Sequence, residues 1–280
     1  MIRPVQKDLY AIIGNPVGHS LSPTMMNAAF KAMNVPAVYV ALQVDDLPGD
    51  LETITRMGVS GLSVTIPHKA TAFRLASETD ETAQAIGAVN TLRRRGEVWD
   101  GRNMDWLGSN RALSRVTPLE SKRALVIGAG GAARAVVYGL KREGARVTVA
   151  NRNVERGEEL AKAFQCDFIP LGELQRPGAG RELDIVVQCT SVGLAGKEDR
   201  LPLSDSFFHS GMVVMDAVYR PLWTPFSSAA KDAGATVVSG VEMLLHQGVA
   251  QLEWWLERPV PPQEGIEVMR QALMKALREE

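Results

Sequence analysis

Cysteine is nearly absent: the 280 residues include only Cys166 and Cys189. Two thiols are too few for a disulfide framework, and their separation is not that of metal ligands, so both are expected to be reduced core residues. The four histidines, His19, His68, His209 and His246, form no HExxH or comparable cluster, and no metal site is expected. Net charge is also lacking, at −1, which excludes the broad basic field that attracts nucleic acid or anionic membrane. No apolar run approaches membrane-spanning length, and the opening "MIRPVQKDLYAIIGNP" has no long apolar stretch ahead of a small-residue cleavage site. Internal repeats and low-complexity segments are missing too. A cytoplasmic chain acting on a small molecule is the expectation these absences leave, with monomer and homodimer both open.

What is present is ordinary globular composition, 45% hydrophobic and 22% charged, over a length that suggests two domains. Short strand-like runs alternate with amphipathic helical stretches, the pattern of an α/β protein with mostly parallel sheets. Strands are expected at 9–14, 37–44 and 61–67, with helices near 22–33, 46–57 and 69–77. "AVNTLRRRGEVWDGRN" reads as a hairpin turning at Arg95-Gly96. A helix beginning near "NMDWLG" gives way at Pro118 to a short polar link. The expected division is therefore 1–117 for a substrate-binding domain, 118–240 for a dinucleotide-binding domain, and 241–280 for helices returning to the first. In the last of these helices Ile266, Met269, Leu273 and Leu277 mark one apolar face.

From Arg123, "RALVIGAGGAARAVVYGLKREGARVTVANR" runs strand, glycine turn, helix, strand in about thirty residues, the βαβ unit of a Rossmann domain. Gly128, Ala129, Gly130, Gly131 and Ala132 open the helix, so first-turn amides can cradle a pyrophosphate. At the end of the second strand, where a carboxylate would bind a ribose hydroxyl, the chain has Asn151, Arg152 and Asn153, with Arg156 a turn later. A guanidinium can grip a 2′-phosphate that a carboxylate would repel, so NADP is preferred to NAD.

Three stretches precede that unit. "GNPVGHSLSP" sets Ser20 and Ser22 around a helix start, with Pro23 at the first helical position, where hydroxyls and free amides suit a carboxylate; Ser22-Pro23 also reads as an N-cap pair. "SVTIPHK" delivers Thr65 from a strand and Lys69 from the first turn of a helix, where a cation opposes the dipole at a cost of a few tenths of a kcal/mol. "GAVNT" and "DGRNMDWLG" contribute Asn90 and Asp105, the latter also a natural N-cap.

Together these stretches resemble the shikimate dehydrogenase family, in matching order over nearly the whole chain, with "CTSVG", "DAVYRPLWTP" and "GVEMLLHQ" as further motifs. The resemblance implies a substrate domain and a Rossmann domain facing each other across an active-site cleft, and reversible reduction of 3-dehydroshikimate to shikimate by NADPH on the route to chorismate and the aromatic amino acids. It implies that Ser20 and Ser22 bind the substrate carboxylate and that Thr65, Asn90 and Gln247 bind ring hydroxyls. Lys69 and Asp105 would form the catalytic pair, and Tyr219 would border nicotinamide and substrate. Thr190, Ser191, Ala217 and Gly240 would contact the cofactor, with Glu81 near it.

Several positions depart from the commonest family pattern. Ser63 and Gln188 replace asparagines, Asn153 replaces a threonine, and Met104 and Trp106 flank Asp105 in place of threonine and glycine. The last two bear on the shape of the wall beside Asp105. Alternatives to the leading reading are a quinate/shikimate dehydrogenase using NAD, a non-catalytic sensor of pathway metabolites, and, more remotely, a tetrahydrofolate dehydrogenase of similar layout.

Overall fold

The computed structural model describes residues 7–194 and 200–279, which fall into two compact units, one within Met1–Met104 and Gln247–Glu280 and the other within Asp105–His246. Both are α/β.

In the first unit β1 (Asp8–Gly14), β2 (Ala37–Gln43) and β3 (Val59–Val64) run parallel. The hairpin β5 (Thr91–Arg95) and β6 (Val98–Arg102) adds antiparallel to β3, and the two-residue β4 (Glu78–Thr79) completes the order β2-β1-β3-β5-β6-β4. Gly96 turns the hairpin at φ 65°, a backbone region glycine enters without steric cost. Alternation along β1 sends Ala11 and Ile13 to one face and Tyr10 to the other. On the first face they meet Leu47 and Ile54 of α2 (Leu47–Arg56), Ala72 of α3 (Lys69–Leu75) and Ala83 of α4 (Glu81–Ile86). On the second, Tyr10 packs against Phe30 of α1 (Ser22–Ala32) and against Trp255, with ring centroids 5.4 and 5.0 Å away. Gly61 is required there, because a Cβ would stand 2.7 Å from the Trp255 indole. β4 and α4 lie in a stretch without strong hydrophobic periodicity; α4 depends on Asp80, whose carboxylate accepts a hydrogen bond from Ala83 N at 2.8 Å.

The second unit is a fully parallel six-stranded sheet formed by β7 (Arg123–Ile127), β8 (Arg146–Asn151), β9 (Asp167–Pro170), β10 (Ile185–Gln188), β11 (Val213–Asp216) and β12 (Thr236–Val238). The order β12-β11-β10-β7-β8-β9 is that of the doubly wound dinucleotide-binding fold, with the switch of direction between β7 and β10. Helices α5 (Asp105–Ser114), α6 (Gly131–Arg142), α7 (Val154–Phe164) and α8 (Pro225–Asp232) accompany it. Val126, Val149, Val187 and Met215, from four strands, pack with Ala133, Val137 and Leu140 of α6 in one core cluster.

The units do not part where the sequence changes character. Pro118 marks a break in pattern, but α5, which precedes it, packs on α6, which lies beyond it. Asn110 Nδ2 donates to Gly139 O at 2.9 Å, and a Cβ at Gly139 would come within 2.5 Å of Asn110 Oδ1. Similarly α9 (Gly240–Leu256) begins in the second unit and passes into the first at Gln247. The chain ends in α10 (Val268–Arg278), which buries Met269 and Leu273 as its apolar spacing requires. Both cysteines are free thiols, but half-buried rather than core: each packs at the edge of a cluster.

Candidate active site

Backbone bonding gathers three of the sequence motifs within the first unit. Asn15 N donates to Ile66 O at 3.0 Å, tying the serine-bearing loop to the loop after β3. Val64 N donates to Asn90 O at 2.8 Å, and Val89 N to Lys69 O at 3.0 Å. Thr65, Lys69 and Asn90 are thereby assembled at one end of β3. Thr65 and Lys69 are half-buried and Asn90 is buried. Lys69 is the first residue of α3, and the neighbouring His68 is locked by its Nε2 on Val44 O at 2.7 Å.

Ser22 is not an N-cap, contrary to the simplest reading of Ser-Pro. It is already the first helical residue of α1; Leu21 holds the cap position, with no side-chain cap bond. Ser22 is buried, and its N–H donates to Ser20 Oγ at 3.2 Å, so the two serines share one turn. The Ser20 hydroxyl thus serves a first-turn N–H of α1, while no cap bond uses the Ser22 hydroxyl.

In the second unit the glycine turn leaves β7 with Gly128 at φ 118°, where a Cβ would crowd Thr190 and the Cys189 backbone at 3.2–3.3 Å. Gly130 occupies the N-cap of α6, and a Cβ placed on it would meet nothing within 4 Å. Open space above bare helix amides is what a pyrophosphate requires. At the end of β8, Arg152 and Arg156 are exposed, and among the described residues neither is drawn into an ion pair. Asn151 Nδ2 donates to Asn153 O at 2.8 Å, and Asn153 caps α7 by accepting from Arg156 N at 2.8 Å. The Asn153 side chain is thus spent on the helix, and the two arginines are the groups here suited to an anion.

Residues 12–92 match the model of the shikimate dehydrogenase substrate binding domain, 110–195 that of shikimate / quinate 5-dehydrogenase, and 240–274 that of the shikimate 5′-dehydrogenase C-terminal domain. The NADP(+) shikimate dehydrogenase of Syntrophobacter fumaroxidans is 63% identical over all of this chain and 98% of its own. The chain belongs to the shikimate dehydrogenase family.

Among solved shikimate dehydrogenases, one in complex with NADP+ superposes at a TM-score of 0.89 with 32% identity, covering 99% of this chain and 98% of its own. That of Thermus thermophilus, in complex with NADP(H) and shikimate, gives 0.85 and 35%, covering 95% and 99%.

Against that family background the departures acquire places. The Ser63 hydroxyl accepts from Tyr39 Oη at 2.5 Å and donates to Gln251 Oε1 at 2.8 Å. Met104 is buried and acts through its backbone, its N–H donating to Asn90 Oδ1 at 2.7 Å. The Trp106 ring lies edge-on to Tyr138 at 5.6 Å, with the Arg142 guanidinium 5.4 Å from it, so its bulk is taken up by packing on α6. Gln188 ends β10, fully buried, and its Oε1 accepts from Thr190 N while Nε2 donates to Val192 O at 2.9 Å and to Asp216 Oδ1 at 3.2 Å.

Asp216, Thr91 and Gln251 were not singled out by their motifs. Asp216 Oδ1 accepts from Val218 N at 3.0 Å and Oδ2 from Thr224 Oγ1 at 2.5 Å, which holds the loop carrying Ala217 and Tyr219 at both ends. Burial nevertheless pushes its carboxyl up to about 6, against those hydrogen bonds. Gly240 belongs to the same arrangement: a Cβ there would meet Asp216 O at 2.6 Å and Val218 O at 2.7 Å. The signal for Asp216 and Gln251 was a polar side chain ending or interrupting an apolar run, in "VVMD" and the α9 stretch "GVAQL"; Thr91 had none beyond following Asn90 in "AVNT". Glu81 is exposed in the first turn of α4. Among the described residues no group of three His, Cys, Asp or Glu is placed to hold a metal, and no helix is long and apolar enough to cross a membrane.

Proposed function

We infer that this chain catalyses the reversible, NADP-dependent reduction of 3-dehydroshikimate to shikimate, with Lys69 as proton donor and Asp105 as its partner. What carries the reading is the backbone bonding that gathers Thr65, Lys69 and Asn90 at the end of β3, in a chain 63% identical over its full length to an NADP(+) shikimate dehydrogenase.

Reducing a ketone leaves negative charge on its oxygen, and a cation close by lowers that cost before delivering a proton. Lys69 fills this role: its ammonium polarises the carbonyl and then protonates the alkoxide. In the oxidative direction the neutral amine takes the hydroxyl proton. Asp105, the first residue of α5 and buried, orients the lysine and accepts from the adjacent ring hydroxyl. Ser20 and Ser22 hold the carboxylate, each hydrogen bond to the charged group contributing about 1.5–3 kcal/mol. Thr65, Asn90 and Gln247 bind ring hydroxyls, and Tyr219 borders substrate and nicotinamide.

The residues present fit NADP: the Gly128–Ala132 turn for the pyrophosphate, Arg152 and Arg156 for the 2′-phosphate, and Thr190, Ser191, Ala217 and Gly240 along its remaining length. Bound there, the nicotinamide supplies or accepts the hydride. Residues 1–117 would serve the substrate with 241–280, and 118–240 the cofactor, with α5 assigned by its packing to the latter. An absorbance assay of NADPH formation from shikimate tests this reading; tight shikimate binding without turnover would instead favour a metabolite sensor.

A further inference from the structure

Two backbone groups of fixed hydrogen-bonding sense set the side-chain amides of Asn90 and Gln251. The Met104 N–H can only donate, and it points at Asn90 Oδ1 from 2.7 Å. The Asn90 carbonyl can only accept, and Gln251 Nε2 donates to it at 3.3 Å. Both amide orientations follow. Thr91 Oγ1 sits between them, accepting from Gln251 Nε2 at 2.9 Å and donating to Asn90 Oδ1 at 2.7 Å. Upstream, Gln251 Oε1 accepts from Ser63, which accepts from Tyr39. Downstream, Asn90 Nδ2 faces Gln247 Oε1 at 3.4 Å. The donors Tyr39, Ser63, Gln251, Thr91 and Asn90 therefore all point the same way, through a region where Thr91 and Gln251 are 0% exposed.

We propose that this one-directional chain, with Gln251 and Thr91 at its centre, positions the substrate amides: it sets Asn90 and Gln247 so that both meet the ligand's ring oxygens as N–H donors. The inference rests on the reading above that Asn90 and Gln247 bind those oxygens. Its physical basis is the cost of a flipped amide. Turning Asn90 over would set an NH2 against the Met104 N–H and leave buried groups without partners, at about 1–3 kcal/mol for each. Ligand binding then spends nothing on choosing the amide orientation. The Ser63 departure fits as well, since a hydroxyl can accept from Tyr39 and donate to Gln251 at a single atom.

Thr91 and Gln251 are fully buried and act only through their neighbours, so they are positioning residues. Thr91→Val, which keeps the volume, and Gln251→Met should each raise KM for shikimate about tenfold, the factor that corresponds to one buried hydrogen bond, with kcat changed far less and KM for NADP unchanged. Thr91→Ser should restore KM to within about twofold of the parent, because it keeps the hydroxyl. A lowered melting temperature with an unchanged KM for shikimate in Thr91→Val and Gln251→Met would overturn the proposal; if one of the two does not fold, the other decides. Asn90→Ala tests the underlying reading separately. No rise in KM there would remove Asn90 as a ligand and the proposal with it, whereas a rise there with none in the two positioning variants would overturn the positioning alone.

Discussion

Gln188 Nε2 lies 3.2 Å from Asp216 Oδ1, joining the ends of the adjacent strands β10 and β11. The contact is buried, and it couples the loop at Thr190–Val192 to the loop at Ala217–Tyr219, two segments proposed to meet the cofactor.

Asp216 gives a pH prediction with a definite sign. Desolvation raises its carboxyl from 3.8 to about 6, so the native state binds more protons than the unfolded chain between those values. Its stabilising contribution is present in full below the unfolded pKa and is lost as pH rises through about 6, on the order of 2–3 kcal/mol. Asp216→Asn removes that dependence. Its melting temperature, taken relative to the parent, should climb between pH 4 and pH 7; a constant offset across the range would contradict the assignment.

His246 slopes the other way. Burial first, then Arg115 and Arg111, lower its pKa from 6.5 to about 4. The ring is neutral at pH 7, so its 3.7 Å approach to Glu242 is not an ion pair there. The native state resists protonation, and stability present above 6.5 is lost as pH falls toward 4. Thermal denaturation of His246→Leu should show a smaller loss than the parent between pH 7 and pH 4; equal losses would place the acid sensitivity elsewhere.

Lys69→Ala should lower turnover by about 10²–10⁴, the usual contribution of a positioned acid–base group, while leaving NADPH binding intact. Stopped assays for turnover and a fluorescence titration for NADPH separate the two. Near-normal turnover would take Lys69 out of the chemistry.

Arg152→Ala should weaken NADP far more than NAD, because only NADP carries the 2′-phosphate that the guanidinium is proposed to grip. Comparing KM for the two cofactors in parent and variant checks it. Equal losses, or none, would refute the clamp at the end of β8.

How much of this was legible in the sequence depended on whether the backbone or the packing decided it. The glycine turn could be read because Gly128 needs a positive φ, a region glycine enters without steric cost, and because Gly130 leaves the space over the α6 N-cap open. β1, β3, β7 and the Arg95-Gly96 hairpin were legible from apolar patterning and a turn signal. The boundary at Asp105 was not, since α5 joins the second unit through Asn110 and Gly139, a fit between residues far apart in sequence. Ser22 looked like a cap and is a first-turn residue, because Leu21 and Pro23 set the helix start one residue earlier. The chain from Tyr39 to Asn90 was hidden for the same reason as the boundary: it draws on β2, β3, β5 and α9, and only the fold places those polar atoms in line.

The proposed activity rests on the pairing of shikimate with NADP. That pairing is measured directly by kcat/KM for shikimate and for quinate, each with NADP and with NAD, on the purified chain. Efficient oxidation of shikimate with NADP is expected, with values lower by at least about tenfold for the other three combinations, the loss that follows when one charged or hydrogen-bonded contact is missing. Equal or better rates with NAD, a preference for quinate, or no turnover of shikimate with NADP would contradict it.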